Sequence, residues 1–108
     1  MERNNMTTKQ RAFLKGLAMN IEPIYQIGKS SITPEFTVGI SEALEARDLI
    51  KISVLKNCAD DPKELAGILS ERTGSQVVQV IGKKIVLYKE SKKNKKIELP
   101  REKKVKEN

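Results

Sequence analysis

The 108-residue chain contains no histidine. The side chain that most often serves as general acid or base near neutral pH is therefore missing. Cysteine occurs once, at Cys58, which excludes an intrachain disulfide and with it a disulfide-stapled secreted scaffold. Metal-ligand spacings are absent, and Asp60-Asp61 just before Pro62 reads as helix capping rather than a metal pair. The aromatics are only Phe13, Tyr25, Phe36 and Tyr88. Phe13 and Phe36 fit core stripes, so a multi-aromatic platform for stacking bases is not expected. No apolar run approaches the ~20 residues of a membrane span, and Met1–Gln10 lacks the hydrophobic region of a signal peptide. These absences predict a cytoplasmic protein with no membrane partner, no catalytic residue, no metal and no cofactor.

What the chain has in excess is positive charge: 21 Lys and Arg stand against 14 Asp and Glu, a net charge of +7. The excess is uneven. Residues 1–88 hold 12 basic and 10 acidic groups, whereas residues 89–108 hold 9 and 4. A tail of that sign attracts polyanions through counterion release, although basic tails also serve for solubility alone.

Thr7 and Gln10 form a capping box ahead of a first helix that places Phe13, Leu14, Leu17 and Ala18 on one arc. Arg11 and Lys15 lie four apart on the opposite arc and give that helix a basic outer face. Ile24–Ile27 is a short strand. Thr33 then caps a second helix with Pro34 in its first position, and the helix runs to about Arg47. Its inward stripe is Phe36, Ile40, Ala43 and Leu44; Glu35, Glu42 and Glu45 sit on its back and repel phosphates. Leu49–Lys56 is a β-branched strand with Ile50, Ile52 and Val54 on one face. Asp61-Pro62 opens a third helix that buries Leu65, Ile68 and Leu69 and stops at Gly74. Val77–Ile81 and Ile85–Tyr88 flank Gly82-Lys83-Lys84, a connection short enough for an antiparallel hairpin. Val78 pairs with Val80 on one face of the first of these strands, and Val77 with Ile81 on the other.

The order is α-β-α-β-α-β-β. It predicts an α/β domain: a mixed four-stranded sheet with three helices, in which strands separated by single helices pair in parallel and both faces are at least partly covered. Residues 1–6 read as a flexible N-terminus, 7–101 as the domain and 102–108 as a disordered basic tail. Ile97 and Leu99 are able to dock the start of the tail on the body.

The chemistry-bearing stretch is Ile27-Gly28-Lys29-Ser30-Ser31-Ile32-Thr33. A glycine turn feeding a helix N-terminus presents backbone N–H groups and a positive dipole end, and lysine adds a full charge. The first glycine of G-x-x-x-x-G-K-[ST] is missing, so the stretch does not form a nucleotide-hydrolysing P-loop. With Arg11, Lys15, Lys83 and Lys84 it makes a set of basic features suited to a nucleic-acid backbone, with a plain βα turn and a solvated hairpin as the alternatives.

Leu14-Lys15-Gly16-Leu17-Ala18, Ile27-Gly28-Lys29-Ser30-Ser31-Ile32-Thr33, Ala43-Leu44-Glu45, Leu49-Ile50-Lys51-Ile52, Thr73-Gly74, Val78-Gln79-Val80-Ile81-Gly82-Lys83 and Ile97-Glu98-Leu99-Pro100-Arg101 recur in the same order in a known family. On these landmarks the chain resembles the CRM domain family (chloroplast RNA splicing and ribosome maturation), and within it the bacterial single-domain YhbY-type proteins. The resemblance implies a fold similar to the C-terminal domain of bacterial translation initiation factor three. It also implies RNA binding, with the loop motif carrying over to Gly28, Lys29 and Ser30 and with Ser31 a further candidate donor in place of the second glycine, and association with precursors of the large ribosomal subunit. The family loop usually reads Gly-x-x-Gly, as in KH domains, whereas position 31 here is serine. The expected partners are RNA and ribosomal particles, and the expected state is a monomer. The rival readings are a component of the mature ribosome, an RNA-processing enzyme and a protein-interaction module.

Overall fold

Short local signals set the helices. Thr7 Oγ1 accepts from the Gln10 amide at 3.0 Å while the Gln10 side chain accepts from the Thr7 amide at 3.1 Å, so the capping box opens α1 (Thr8–Ala18) as the spacing predicts. β1 (Tyr25–Ile27) follows. Thr33 Oγ1 then accepts from the Phe36 amide at 3.1 Å, and Pro34 is the first residue of α2 (Pro34–Arg47). The next elements are β2 (Leu49–Val54), α3 (Pro62–Thr73), β3 (Gln76–Ile81) and β4 (Lys84–Tyr88). The structure, a computed structural model, describes residues 6–93 and 95–100. The expectations for residues 1–5 and for the tail 102–108 lie outside the described residues.

The expected α/β domain and its element order hold, with a four-stranded mixed sheet in the order β1-β2-β4-β3. β1 and β2 pair in parallel, and β4 runs antiparallel to both β2 and β3. The expected parallel pairing across a single helix therefore holds for β1 and β2 but not for β2 and β3, because β4 lies between them. The reason is burial. Ile85, Val86, Leu87 and Tyr88 are all buried, a run that demands cover on both faces, and only a central position provides it. β3 takes the edge, where Ile81 is 59% exposed.

A register shift between Val77 and Gln79 leaves Val78 as a bulged residue. Val77 and Val80 consequently pack together on one side of the sheet, and Val78 on the other. Strict alternation put Val78 with Val80; the bulge reverses that assignment. In α3 the expected Ile68 is exposed, and Ala66 and Thr73 are buried beside Leu65 and Leu69. In α1 only Leu14 and Ala18 are buried, and Phe13 and Leu17 remain exposed. β2 ends at Val54, so Cys58 is buried in the following loop rather than at the strand's end.

Two apolar clusters result, one per face of the sheet. The larger joins Ile40 and Leu44 of α2 and Leu65 and Leu69 of α3 to Ile50, Ile52, Ile85 and Leu87. The smaller joins Leu14 and Ala18 of α1 to Leu49, Val78, Val86 and Tyr88, with Ile97 and Leu99 packed against it. The start of the tail thus docks as expected.

Asp48 fixes that docking. It closes α2 with φ 69°, is fully buried, and accepts from the Ser91 amide at 3.2 Å, the Lys96 amide at 2.7 Å and the Ile97 amide at 3.0 Å. A buried carboxylate is tolerable only when its oxygens are matched in this way. Beside it, the Ser91 hydroxyl donates to Glu45 Oε2 at 2.6 Å and holds that carboxyl below its ordinary value. Desolvation opposes the shift; the Lys93 amide and the charges of Lys93 and Lys89 reinforce it.

Candidate nucleic-acid interface

β1 and β2 end, and β4 begins, at one edge of the sheet. The three connections made there are held together by backbone bonds. The Leu55 amide donates to the Ile27 carbonyl at 2.9 Å, and the Val54 amide donates to the Lys83 carbonyl at 2.7 Å. The loop after β1, the loop after β2 and the β3–β4 turn are therefore neighbours. Gly82 sits at the first central position of that two-residue turn with φ 59°, which lets the strands close tightly and puts Lys83 at the tip.

In the first of these loops Gly28 to Ser31 is a turn closed by a 2.9 Å bond from the Ser31 amide to the Gly28 carbonyl. Lys29 and Ser30 are its exposed central residues. A Cβ on Gly28 would stand 3.4 Å from Asn57 Oδ1 and 3.6 Å from Leu55 Cδ1, so this residue is where the loop after β2 presses closest. Ser31 adopts φ 57°, the left-handed region that glycine occupies without strain. That conformation accounts for a glycine being the usual residue here in the family the sequence resembles. Its hydroxyl donates to Asp60 Oδ2 at 2.6 Å, tying the two βα loops together. Asp60 is thus turned toward Ser31, and Asp61, at the cap position of α3, makes no side-chain cap bond. Pro62, with its fixed φ, starts that helix instead.

The mouth of α2 offers a phosphate less than the sequence suggests. Pro34 has no N–H, the Phe36 amide is taken by Thr33, and Glu35 brings a carboxylate into the first turn. The turn amides of Lys29 and Ser30, with the lysine side chain, are the better anion donors.

The structure brings Gly28, Lys29, Ser30, Ser31, Lys83 and Lys84 to this one edge. Arg11 and Lys15 lie elsewhere, on α1 beneath the sheet. Arg11 is not on the helix's outer arc: its Nη1 donates to the Val77 carbonyl at 2.6 Å and the Val78 carbonyl at 2.9 Å, filling the gap that the bulge opens in the ladder. Lys15 is one turn further on and exposed.

Sequence reasoning passed over Lys51, half-buried on β2, and the polar residues beside it. The signal was present: the four strands contain no aspartate or glutamate. Among the described residues no group of three His, Cys, Asp or Glu is placed to hold a metal, and no helix is long and apolar enough to cross a membrane. A groove of about 540 Å³, lined by Leu17, Ile21, Ile24, Arg47 and Ile97 among others, lies at the opposite end of the strands from Lys29, Lys83 and Lys84 and borders Lys51, whose carbonyl accepts from the Ile24 amide at 3.0 Å.

Comparison with known proteins places this geometry in context. The family model described as the CRS1 / YhbY (CRM) domain matches residues 6–89. The Bacillus subtilis protein named "Probable RNA-binding protein YqeI" is 52% identical over 95 residues, covering 88% of this chain and 99% of the relative. A Haemophilus influenzae protein named "RNA-binding protein" is 34% identical over 96 residues, covering 89% of this chain and 96% of its own. The solution structure of the Staphylococcus aureus protein SAV1595 superposes with a TM-score of 0.74 at 55% identity, covering 89% of this chain and all of that one.

Proposed function

The chain belongs to the CRS1 / YhbY (CRM) domain family, and from that premise we propose that it is a non-enzymatic RNA-binding protein that assists assembly of the large ribosomal subunit. The observation that carries the proposal is the convergence of Lys29, Lys83 and Lys84 on one sheet edge, next to a turn whose central residues are exposed. Phosphates of precursor ribosomal RNA bind there, with Gly28 allowing close approach and Ser30 and Ser31 lining the turn. Lys15 extends the charged surface along α1, while the Arg11 guanidinium, bonded to the Val77 and Val78 carbonyls, adds its charge from within the sheet. Such contacts supply affinity and register but no base readout, so selectivity comes from RNA shape. The names of the relatives support the RNA partner, and the family resemblance supports the ribosomal setting. The protein acts as a cytoplasmic monomer that leaves once the subunit matures.

The test has two parts. Gly28→Val, Lys29→Ala and wild type are titrated against one large-subunit RNA fragment, with Glu42→Ala on the back of α2 as control. Gly28→Val weakens binding more than Lys29→Ala, because a branched side chain presses on Asn57 and closes the approach to the turn amides. Loop variants that bind like wild type would place the contact elsewhere. Sedimentation of cell extract, before and after a high-salt wash, then separates an assembly factor, which leaves the particles, from a mature ribosomal component, which stays.

A further inference from the structure

The sheet has a second surface that the loop edge does not explain. On the α1 side, strand register lines up Gln26, Ser53, Lys84 and Ile81 in one row, and Lys51, Val86 and Gln79 in the next. Val86, at the centre of the second row, is buried beneath α1 together with the third row, Leu49 and Tyr88, against which Ile97 and Leu99 pack, so the second row is open only at Lys51 and Gln79. Gln10 of α1 donates to the Pro100 carbonyl at 3.1 Å, so the C-terminal segment runs along that flank of the helix. Arg11 and Lys15 occupy the other flank, which looks onto the two open rows.

The open rows measure about 7 Å along the strands and about 14 Å across them. They carry no carboxylate, and α1 carries none either. Lys15, Lys51 and Lys84 have no ion-pair partner among the described residues. Lys51 and Lys84 are diagonal neighbours, about 7–8 Å apart at the backbone. The opposite side of the molecule is different: α2 carries Glu35, Glu42 and Glu45 against Arg47, α3 balances Glu64 and Glu71 with Lys63 and Arg72, and Asp60 stands at the loop itself. A polyanion held at the Gly28–Ser31 turn therefore meets Asp60 and the net negative charge of α2 on one side, and only lysines across the hairpin toward α1 on the other.

We propose that these rows, with Lys15 as their wall, are a second RNA-contact surface that takes a short single-stranded segment continuing from the loop edge. The proposal rests on the RNA-binding reading above. The strip is too narrow for a duplex and has no exposed aromatic ring, so contact is through phosphates, with the Gln26 and Gln79 amides reaching sugars and base edges.

The experiment uses the full chain and a fluorescein-labelled 20-nucleotide oligouridine, titrated over a range of salt concentrations. The Lys15→Gln/Lys51→Gln variant keeps side-chain length and removes both charges. It is expected to bind about tenfold more weakly, with the log–log salt slope lower by about 1.4, for two single-strand contacts at about 0.7 each. Gln79→Glu, which adds a carboxylate without removing a lysine, is expected to weaken binding as well, with the melting temperature of each variant confirming the fold. The Lys29→Gln/Lys83→Gln variant reports on the loop edge. If it weakens binding while both sheet variants match wild type in affinity and slope, the sheet surface is refuted and the loop reading stands. If all variants bind like wild type, both are refuted. Unlabelled duplex RNA that competes as well as unlabelled oligouridine would overturn the single-strand assignment.

Discussion

The two faces of the sheet are built to different specifications. One is sealed: α2 and α3 cover it with a cluster of twelve buried residues, and their outer surfaces carry the acidic side chains. The other is half-sealed. A single helix and an irregular C-terminal segment cover one end of it with a cluster of six, and the rest is open, polar and free of carboxylates. Stability is concentrated on the first face and exposed positive charge on the second. The open half can be left open because, apart from Ile81, its exposed side chains are lysines, glutamines and a serine, which water satisfies when no ligand is present, and Val86 between them is buried under α1.

The largest expected difference between the faces is in cavity cost. Leu44→Ala, under α2 and α3, should lower unfolding free energy by about 3–5 kcal/mol, since its packed neighbours collapse little into the space. Leu14→Ala, under α1, should cost about 2–3 kcal/mol, because a lone helix on a half-open face can settle. Urea unfolding of both variants measures this. Equal costs would show that α1 is held as rigidly as the sealed side.

Next in size is the latch that closes the second face. Asp48→Ala removes the acceptor of three backbone amides at once. The Lys96 and Ile97 amides are only part-buried, and all three recover water once the segment lifts, so the expected loss is about 2–3 kcal/mol rather than the full cost of three buried orphans. Amide exchange should rise at Ser91, Lys96 and Ile97 and stay unchanged in α3. Loss of protection throughout α3 would mean that Asp48 supports the whole fold rather than one face.

Tyr88 gives a smaller effect with a definite sign. Burial, then the charges of Glu90, Asp48 and Glu98, push its phenol up from 10.0 to about 12. The unfolded chain ionises this group first, so the stability that neutral Tyr88 provides is complete below about pH 10 and is lost as pH rises through about 12. Between those values wild type should lose stability faster than Tyr88→Phe, by up to roughly 1 kcal/mol per pH unit. Parallel curves would show that the phenol ionises as easily in the folded protein as in the unfolded one.

The sealed face was the more legible one in the sequence, for a physical reason. Thr33, Pro34, Pro62 and Gly74 act within a few residues of themselves, and the inward positions Ile40, Leu44, Ile50 and Ile52 repeat with the period of their own element. What decided the other face is not local. The bulge at Val78 depends on a guanidinium arriving from Arg11, and Asp48 looks like any turn residue until Ser91, Lys96 and Ile97 come to it. The same holds at the candidate site. Gly28, Lys29, Lys83 and Lys84 were visible as separate basic features, but their neighbourhood follows from β4 entering between β2 and β3, which depends on how both its faces are covered.

The smallest effect sits in the loop that leads into the sealed face, at Ser31. Ser31→Gly removes the cost of holding a side chain at φ 57°, about 1 kcal/mol. Against it stand the extra freedom of glycine in the unfolded chain, about 0.4–1 kcal/mol, and the loss of an exposed hydroxyl bond to Asp60, about 0.5 kcal/mol. These terms nearly cancel, so stability should stay within about 1 kcal/mol of wild type. RNA affinity need not stay with it. Without the serine hydroxyl the Asp60 carboxylate is unshielded beside the turn, which opposes any gain from a smoother approach of phosphate to the Lys29 and Ser30 amides. The double variant Ser31→Gly/Asp60→Asn separates the two: it should bind more tightly than Ser31→Gly alone, and Asp60→Asn by itself should bind at least as tightly as wild type. If Asp60→Asn instead weakens binding, the Ser31–Asp60 bond is holding the turn in its binding shape. The repulsion by the Asp60 carboxylate would then be outweighed by order in the loop.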